Sequence, residues 1–169
     1  MAVLQIVTYP SAPILLRTAR AVPRIDRRVQ RLIRDMLETL HGDETGIGLA
    51  APQVGVGQRV IVVDVGQGPI VLVNPEICAA QGQQIGLEGC LSLPNLFGEV
   101  ARAERVVVRG LDRGGQAITV EGEGILARVL QHEVDHLNGI LFVARLTDPS
   151  RLWKGSELQA AERTKMGSL

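Results

Sequence analysis

Apolar residues recur at intervals of three and four in the stretch of chain that follows Pro23. The residues with this spacing are Ile25, Val29, Leu32, Ile33, Met36, Leu37 and Leu40. Because this spacing places side chains on one face of an α-helix, it predicts an amphipathic helix that ends near His41 and Gly42. The preceding residues, 1–23, include three prolines and are expected to be largely extended or irregular.

Short runs of β-branched residues occupy the middle of the chain. Residues 60–65 and 70–73 form one pair of runs, and residues 106–108 and 117–120 form a second pair. Within each pair the connecting residues are rich in glycine, which is typical of a turn between two strands. The sequence therefore predicts four strands in the middle of the chain, the last of them at residues 117–120.

Residues 125–136 are expected to form a second helix, with Gly139 placed to end it. The tail from Thr147 onward is polar and is expected to be a short helix or a frayed end. Helix, several strands and helix follow one another without regular alternation, an order that predicts an α+β fold. A chain of 169 residues is expected to form a single domain.

Charge and composition argue against a nucleic-acid-binding, membrane-spanning or secreted protein. Eighteen basic residues balance eighteen acidic ones, so direct binding to nucleic acid is not expected, and the arginines between 24 and 34 are interpreted as a solvated helix face. No apolar run is long enough to span a membrane, and the N-terminus does not resemble a signal peptide. With only two cysteines, the chain is expected in a reducing compartment.

The strongest chemical signal is a His-Glu-x-x-His pattern within the second predicted helix. His132 and His136 are four residues apart, so both imidazoles lie on one helical face and can reach one metal ion. Glu133 is offset by one residue, which allows its carboxylate to reach a water on the metal without binding the metal itself. The pattern predicts a metallohydrolase site with Glu133 as general acid and base.

Two histidines leave the metal site incomplete, so a third protein ligand is required. The chain offers Cys78 and Cys90. Cys90 follows a glycine and precedes a turn and a proline, as expected where a strand meets a site, whereas Cys78 has no such context. Three protein ligands leave an open position for water, the arrangement of a catalytic rather than a structural site.

A glycine-rich segment, residues 46–55, is predicted to be a loop. It lacks the Gly-Lys-Ser/Thr ending of a phosphate-binding loop. Gln53 is the one side chain in it that could donate a hydrogen bond to an oxyanion. Opposite a metal ion, Gln53 becomes a candidate electrophilic donor.

Three segments together resemble the peptide deformylase family, and they occur in the family's order and at its intervals. The segments are Gly-Ile-Gly-Leu-Ala-Ala-Pro-Gln at 46–53, Glu-Gly-Cys-Leu-Ser-Leu-Pro at 88–94 and Gln-His-Glu-Val-Asp-His-Leu at 131–137. Weaker similarity extends from about Val3 to Leu146. The resemblance implies a single catalytic domain over residues 1–169, with mixed or antiparallel sheets packed around a central helix that carries the His-Glu-x-x-His motif.

The resemblance also implies an activity: removal of the N-formyl group from the initiator methionine of new polypeptides at the ribosome, with release of formate. Cys90, His132 and His136 would bind the metal, and Glu133 would shuttle the proton as water attacks the formyl carbon. Gln53 and the backbone N–H of Leu91 would stabilise the oxyanion. The resemblance implies Fe²⁺ as the physiological ion, with Zn²⁺, Ni²⁺ or Co²⁺ possible in preparations, and a monomer in the bacterial cytoplasm or in an organelle.

Substrate-contacting residues follow from the same resemblance. Gly48 would offer a main-chain contact to the substrate. Ile47, Ile125 and Val129 are expected to line the slot for the methionine side chain, since the last two share the helical face of His132. Near Cys90, Glu88 is expected to form a buried or partly buried ion pair with Arg102 that fixes the Cys90 loop.

The sequence differs from the family pattern at two places, and two other functions remain as alternatives. Residues 95–98 lack the basic residue that family members often carry there, and the charged C-terminal helix is shortened. A zinc endopeptidase is one rival, because it shares the His-Glu-x-x-His pattern. A non-catalytic metal-binding module is the other, although a structural site usually has four protein ligands.

Overall fold

Two antiparallel β-sheets and two α-helices form the ordered framework of residues 2–158, the part of the chain that the computed structural model describes. The helices are α1 (Arg27–His41) and α2 (Ile125–Leu137). The strands are β1 (Gly48–Ala50), β2 (Val60–Val63), β3 (Ile70–Gln81), β4 (Gln84–Cys90), β5 (Leu93–Arg102), β6 (Arg105–Leu111), β7 (Ala117–Glu123) and β8 (Leu152–Lys154). The prediction of an α+β fold is confirmed.

Both predicted helices form close to their expected bounds. Asp26 caps α1, since its carboxylate accepts hydrogen bonds from the backbone N–H groups of Arg28 and Val29, both at 3.0 Å. Gly42 closes the same helix. At the end of α2, Gly139 adopts a positive φ of 73°, a conformation that glycine reaches without steric cost. Neither helix combines the length and apolar character needed to cross a bilayer.

The larger sheet has the strand order β1-β2-β3-β6-β7 and separates the two helices. Side chains alternate between the faces of a strand, so successive residues of β2 enter different clusters. Ile61 and Val63 pack in the cluster that contains α2, whereas Val60 and Val62 pack in the cluster that contains α1. The two helices therefore cover opposite faces of one sheet.

The smaller sheet has the strand order β4-β5-β8 and carries the segment around Cys90. A third apolar cluster, which includes Cys90, Val100 and Phe142, packs beside it. Helix α2 contacts strands of both sheets, β1 and β7 of the larger one and β5 of the smaller one among them. This central position of the helix agrees with the predicted architecture.

Several predicted bounds differ from the structure. The expected loop at 46–55 contains β1 and a 3₁₀ helix, Ala51–Val54. The strand at 70–73 continues to Gln81, because a register shift between Val73 and Glu76 accommodates Pro75. The strand expected to end at residue 65 ends at Val63.

The resemblance implied more than one sheet, but the residue pattern did not predict the strands of the second one. Strand β4 contains two glycines, and β5 contains Pro94 and Gly98, so neither shows the β-branched alternation that identifies a strand. The expectation that the tail from Thr147 is a short helix or a frayed end was wrong for β8. This strand pairs Trp153 with Phe97 at the edge of β5. A 3₁₀ helix, Gly155–Glu157, follows β8, and the rest of the tail, residues 159–169, lies outside the described residues.

Candidate metal centre

The side chains of Cys90, His132 and His136 converge in the interior. One potential ligand atom from each residue lies within 4.8 Å of the others. His136 Nε2 is 3.2 Å from His132 Nε2 and 3.4 Å from Cys90 Sγ. All three residues are almost fully buried, at 4% exposure or less. The sequence-predicted ligands are thus brought together by α2 and the end of β4.

These separations fit a tetrahedral metal ion. With bond lengths of about 2.1 Å to nitrogen and about 2.3 Å to sulfur, tetrahedral angles put two nitrogens about 3.4 Å apart and nitrogen and sulfur about 3.6 Å apart. The observed separations are within about 0.2 Å of these values. Thiolate and imidazole are also the donors that zinc and divalent iron accept. The residues present therefore fit a metal ion.

Burial prepares each group differently for metal binding. Burial, followed by the proximity of His132, lowers the pKa of His136 well below its ordinary value, which keeps the imidazole neutral and able to bind a metal. Burial raises the pKa of the Cys90 thiol to about 12. An ion must therefore displace a proton from Cys90 when it binds.

Glu133 lies beside this cluster with no partner of its own. It is completely buried, and neither carboxylate oxygen has a hydrogen-bond partner among residues 2–158. Burial raises the pKa of this carboxyl well above its ordinary value. A buried unpaired carboxyl is costly, so it marks a position where a ligand, water or substrate supplies the missing contacts.

Gly48 in β1 faces this carboxyl directly. A Cβ atom at residue 48 would lie 2.5 Å from Glu133 Oε1 and 2.7 Å from Val129 Cγ1. Glycine is therefore the one residue that lets β1 approach α2 this closely. The edge of β1 therefore lies next to Glu133, the candidate general base.

Gln53 points its amide nitrogen into the same region. Its Oε1 accepts a hydrogen bond from the backbone N–H of Ala50 at 2.9 Å, which fixes the side chain. Its Nε2 then lies 3.6 Å from Cys90 Sγ and 3.3 Å from the hydroxyl of Ser92. Leu91 is partly exposed in the turn that joins β4 to β5, directly after Cys90. Sequence reasoning missed Ser92, which is fully buried.

Glu88 organises the surroundings of His132. Its Oε1 accepts a hydrogen bond from His132 Nδ1 at 2.7 Å, which leaves His132 Nε2 free to face the cluster. Arg102 donates two hydrogen bonds to the carboxylate, each at 2.9 Å, so the expected Glu88–Arg102 pair is confirmed. Although burial opposes it, the hydrogen bonds from Arg102 and His132 hold the pKa of Glu88 well below its usual range.

The Glu88–Arg102 pair extends into a larger charged network. Arg128 Nη1 donates to Glu88 Oε2 at 2.6 Å, and Arg102 Nη1 donates to Asp135 Oδ2 at 2.6 Å. Arg145 then reaches Asp135 through two hydrogen bonds, of 2.9 and 3.0 Å. The sequence reasoning missed Arg128, although an arginine within an apolar helical face signals a buried partner.

We expect Arg102→Met to lower the free energy of unfolding by about 3–5 kcal/mol, because it leaves two buried carboxylates with fewer partners. The matched control is Arg105→Met, since the side chains of Arg105 and Glu123 form an ion pair with about two thirds of each exposed. That variant should lose less than about 1 kcal/mol. Denaturant unfolding at equal metal content measures both, and equal losses would contradict a structural role for the network.

The three expected slot residues differ in their surroundings. Val129 is completely buried against Gly48, whereas Ile125, at the first turn of α2, is 48% exposed. Ile47 is partly buried and packs against the cluster that contains α2. The structure places all three on or next to α2, and their contact with a substrate stays a prediction.

Comparison with known proteins identifies the family. Residues 3–152 match the family model described as polypeptide deformylase. The chain belongs to the polypeptide deformylase family. A peptide deformylase of Desulfitobacterium hafniense is 50% identical over 151 residues, which cover 89% of this chain and 99% of that protein. Peptide deformylase 1 of Bacillus anthracis is 46% identical over 161 residues, which cover 94% of this chain and all of that protein.

Solved deformylase structures have the same fold. The Thermotoga maritima peptide deformylase superposes with a TM-score of 0.84 at 40% identity, covering 88% of this chain and 100% of that one. The Thermus thermophilus enzyme gives 0.82 at 46% identity, covering 88% of this chain and 89% of that one. The chain is accordingly a deformylase, a hydrolase that uses a metal ion and removes the N-formyl group from newly made polypeptides.

Proposed function

We propose that Cys90, His132 and His136 hold one divalent metal ion, beside which Glu133 moves the proton during deformylation. The observation that carries the proposal is the convergence of Cys90 Sγ and the two Nε2 atoms next to a buried carboxyl without a partner. When bound, the ion supplies Lewis-acid polarisation of the formyl oxygen and lowers the pKa of a water molecule.

Glu133 is proposed to act as both base and acid. It accepts a proton from the water that attacks the formyl carbon, and its buried position excludes competing solvent. As the C–N bond breaks, Glu133 returns this proton to the departing amine, so that formate and a free N-terminus are released. A carboxyl with a raised pKa suits both halves of this transfer, because it holds the proton between them.

Two hydrogen-bond donors are proposed to stabilise the negative charge that develops on the formyl oxygen. The amide nitrogen of Gln53 is one, since Ala50 fixes the other end of that side chain. The backbone N–H of Leu91 is the second, at the turn directly after Cys90. The main chain of Gly48, which runs next to Glu133, is proposed to contact the substrate backbone.

Formate release from formyl-Met-Ala-Ser tests the assignment, with anaerobic metal analysis of the same sample. We expect formate release with about one metal ion per chain, no reaction of unformylated Met-Ala-Ser and no cleavage of internal peptide bonds. The proposed ion in the cell is Fe²⁺, with Zn²⁺, Ni²⁺ or Co²⁺ able to occupy the same donors. A monomeric enzyme of the cytoplasm, serving chains at the ribosome, is part of the same proposal. Cleavage of unformylated peptides would favour an endopeptidase instead.

The side chain of the formyl-methionine is proposed to lie in a slot formed by Ile47, Ile125 and Val129. Ile125→Trp is the informative change, because the half-exposed position tolerates a larger ring whereas the fully buried Val129 does not. We expect KM for formyl-Met-Ala-Ser to rise about tenfold with metal content unchanged. Leu16→Trp, at a position that is 56% exposed, is the control and should leave KM unaltered. An unchanged KM and kcat in metal-loaded Ile125→Trp would place the slot elsewhere.

A further inference from the structure

Arginine accumulates on one side of helix α1. Between Arg17 and Arg34 the chain has seven arginines and one acidic residue, Asp26, although its overall charge is balanced. All seven arginines are exposed. Five of them line two adjoining grooves of about 670 and 400 Å³. These five, the arginine surface, are Arg24, Arg27, Arg28, Arg31 and Arg34.

The charges of the arginine surface are only partly offset within the described part of the chain. Among residues 2–158, none of the five guanidinium groups forms a salt bridge or a side-chain hydrogen bond. The carboxylate of Asp26 accepts hydrogen bonds from the backbone N–H groups of Arg28 and Val29, and it also interacts electrostatically with the guanidinium groups of Arg24 and Arg28. Asp26 is the one carboxylate among the residues that line the two grooves, and with Asp35 and Glu38 further along α1 three carboxylates stand against five guanidinium groups, which leaves a local excess of positive charge. Such an excess on one face is the electrostatic signature of a polyanion-binding surface.

This surface lies on the opposite side of the larger sheet from the metal centre. Helix α1 packs on the face that presents Val60 and Val62, whereas α2, with the metal ligands, covers the face that presents Ile61 and Val63. A partner bound to the arginine surface would therefore leave the approach to the metal centre free. Binding and deformylation can take place at the same time.

We propose that the arginine surface binds the phosphate backbone of RNA. Every basic residue in it is arginine, whose planar fork matches two phosphate oxygens and which is weakly hydrated. Arg27, Arg31 and Arg34 share one helical face and are separated along the axis by roughly 6 and 4.5 Å, so consecutive phosphates can be contacted. The substrate is a newly made polypeptide, which emerges from an RNA-rich particle. This inference rests on the deformylase function for its biological setting and on the charge distribution for its chemistry.

A membrane surface fits the observations less well. Helices that bind lipid insert an apolar face below the headgroups. The apolar face of α1 is instead buried in the core, where Val29, Ile33, Met36 and Leu40 are 3% exposed or less. The face available to a partner is mainly charged, since Ile25 and Val29, the large apolar residues that line the two grooves, pack in the core beneath it.

The test compares two matched double variants of the full chain. Arg27→Gln/Arg31→Gln removes two charges from the arginine surface, and Arg105→Gln/Arg109→Gln removes two exposed charges from β6. Glutamine preserves helix propensity at the exposed α1 positions. Binding to a fluorescein-labelled RNA hairpin of about 20 base pairs is measured by anisotropy at several salt concentrations. Formate release from formyl-Met-Ala-Ser is measured on the same samples.

We expect the α1 variant to bind the hairpin about tenfold to a hundredfold more weakly than the unchanged chain. Its plot of log affinity against log salt should become shallower by about two units. The β6 variant should change affinity by less than about twofold, and both variants should release formate at the normal rate. Formate release thus reports the enzyme separately from RNA binding, so failure of one is distinguishable from failure of the other.

Three results would overturn the proposal. Equal losses in the two double variants would mean that only the total charge matters. Hairpin binding that is absent, or insensitive to salt, would exclude a phosphate-backbone contact. Binding to phosphatidylserine vesicles that is tighter than binding to the hairpin, at equal phosphate concentration, would assign the surface to a membrane.

Discussion

Replacement of Glu133 by glutamine is expected to lower kcat for formate release by roughly a thousandfold. Glutamine keeps the size and shape of the carboxyl but cannot accept the proton of the attacking water. Because the carboxylate of Glu133 makes no hydrogen bond to any of residues 2–158, its replacement should break no side-chain hydrogen bond. The metal content, measured anaerobically, should stay close to that of the unchanged protein.

Glu123→Gln provides the matched control, since Glu123 is an exposed carboxylate on β7. This variant should retain full activity. Retention of more than about a tenth of the activity in Glu133→Gln would remove Glu133 from the proton-transfer role. Loss of the metal in that variant would instead indicate that Glu133 is a ligand.

Cys90→Ser is expected to weaken metal affinity by more than about a hundredfold. Loss of a residue that only hydrogen-bonds to a metal ligand lowers affinity by up to about that factor, and loss of the ligand itself should lower it further. A thiolate donates charge to the ion, whereas a serine hydroxyl remains protonated and donates weakly. Cys78→Ser is the control, because Cys78 is exposed on β3. Competition with a chelator measures both affinities. Equal metal loss in the two variants would contradict the choice of cysteine.

The state of the Cys90 thiol also gives metal affinity a pH dependence. In the metal-free protein burial raises the pKa of this thiol to about 12, so the group carries a proton throughout the neutral range. Binding displaces that proton, and affinity should rise about tenfold for each unit of increasing pH. His136 adds no proton at neutral pH, because burial lowers its pKa. A chelator competition in which affinity does not change with pH would show that Cys90 keeps its proton in the complex.

Local sequence determined the elements that carry the chemistry. The three- and four-residue spacing of apolar side chains defined α1, and the same period placed His132 and His136 on one face of α2. The flanking glycine and proline distinguished Cys90 from Cys78. These signals are local because helix geometry and turn preferences act over a few residues, so residues adjacent in the chain suffice to express them.

Tertiary structure decided what surrounds those residues. Strands β4, β5 and β8 have weak local preference and form because β4 and β5 pair along their length and β8 joins at the edge. The hydrogen bond from His132 to Glu88 spans 44 residues, and that from Gln53 towards Cys90 spans 37. No periodic pattern links positions so far apart.

The distribution of charge also depends partly on the sequence and partly on the tertiary structure. The sequence has equal numbers of basic and acidic residues, from which direct binding to nucleic acid was not expected. Folding buries Arg102 and Arg128 against Glu88 but leaves the arginines of α1 exposed and without a salt bridge among residues 2–158. Composition determines the sum of charges, whereas packing determines which charges neutralise one another, because a carboxylate offsets an arginine only where the fold brings the two into contact.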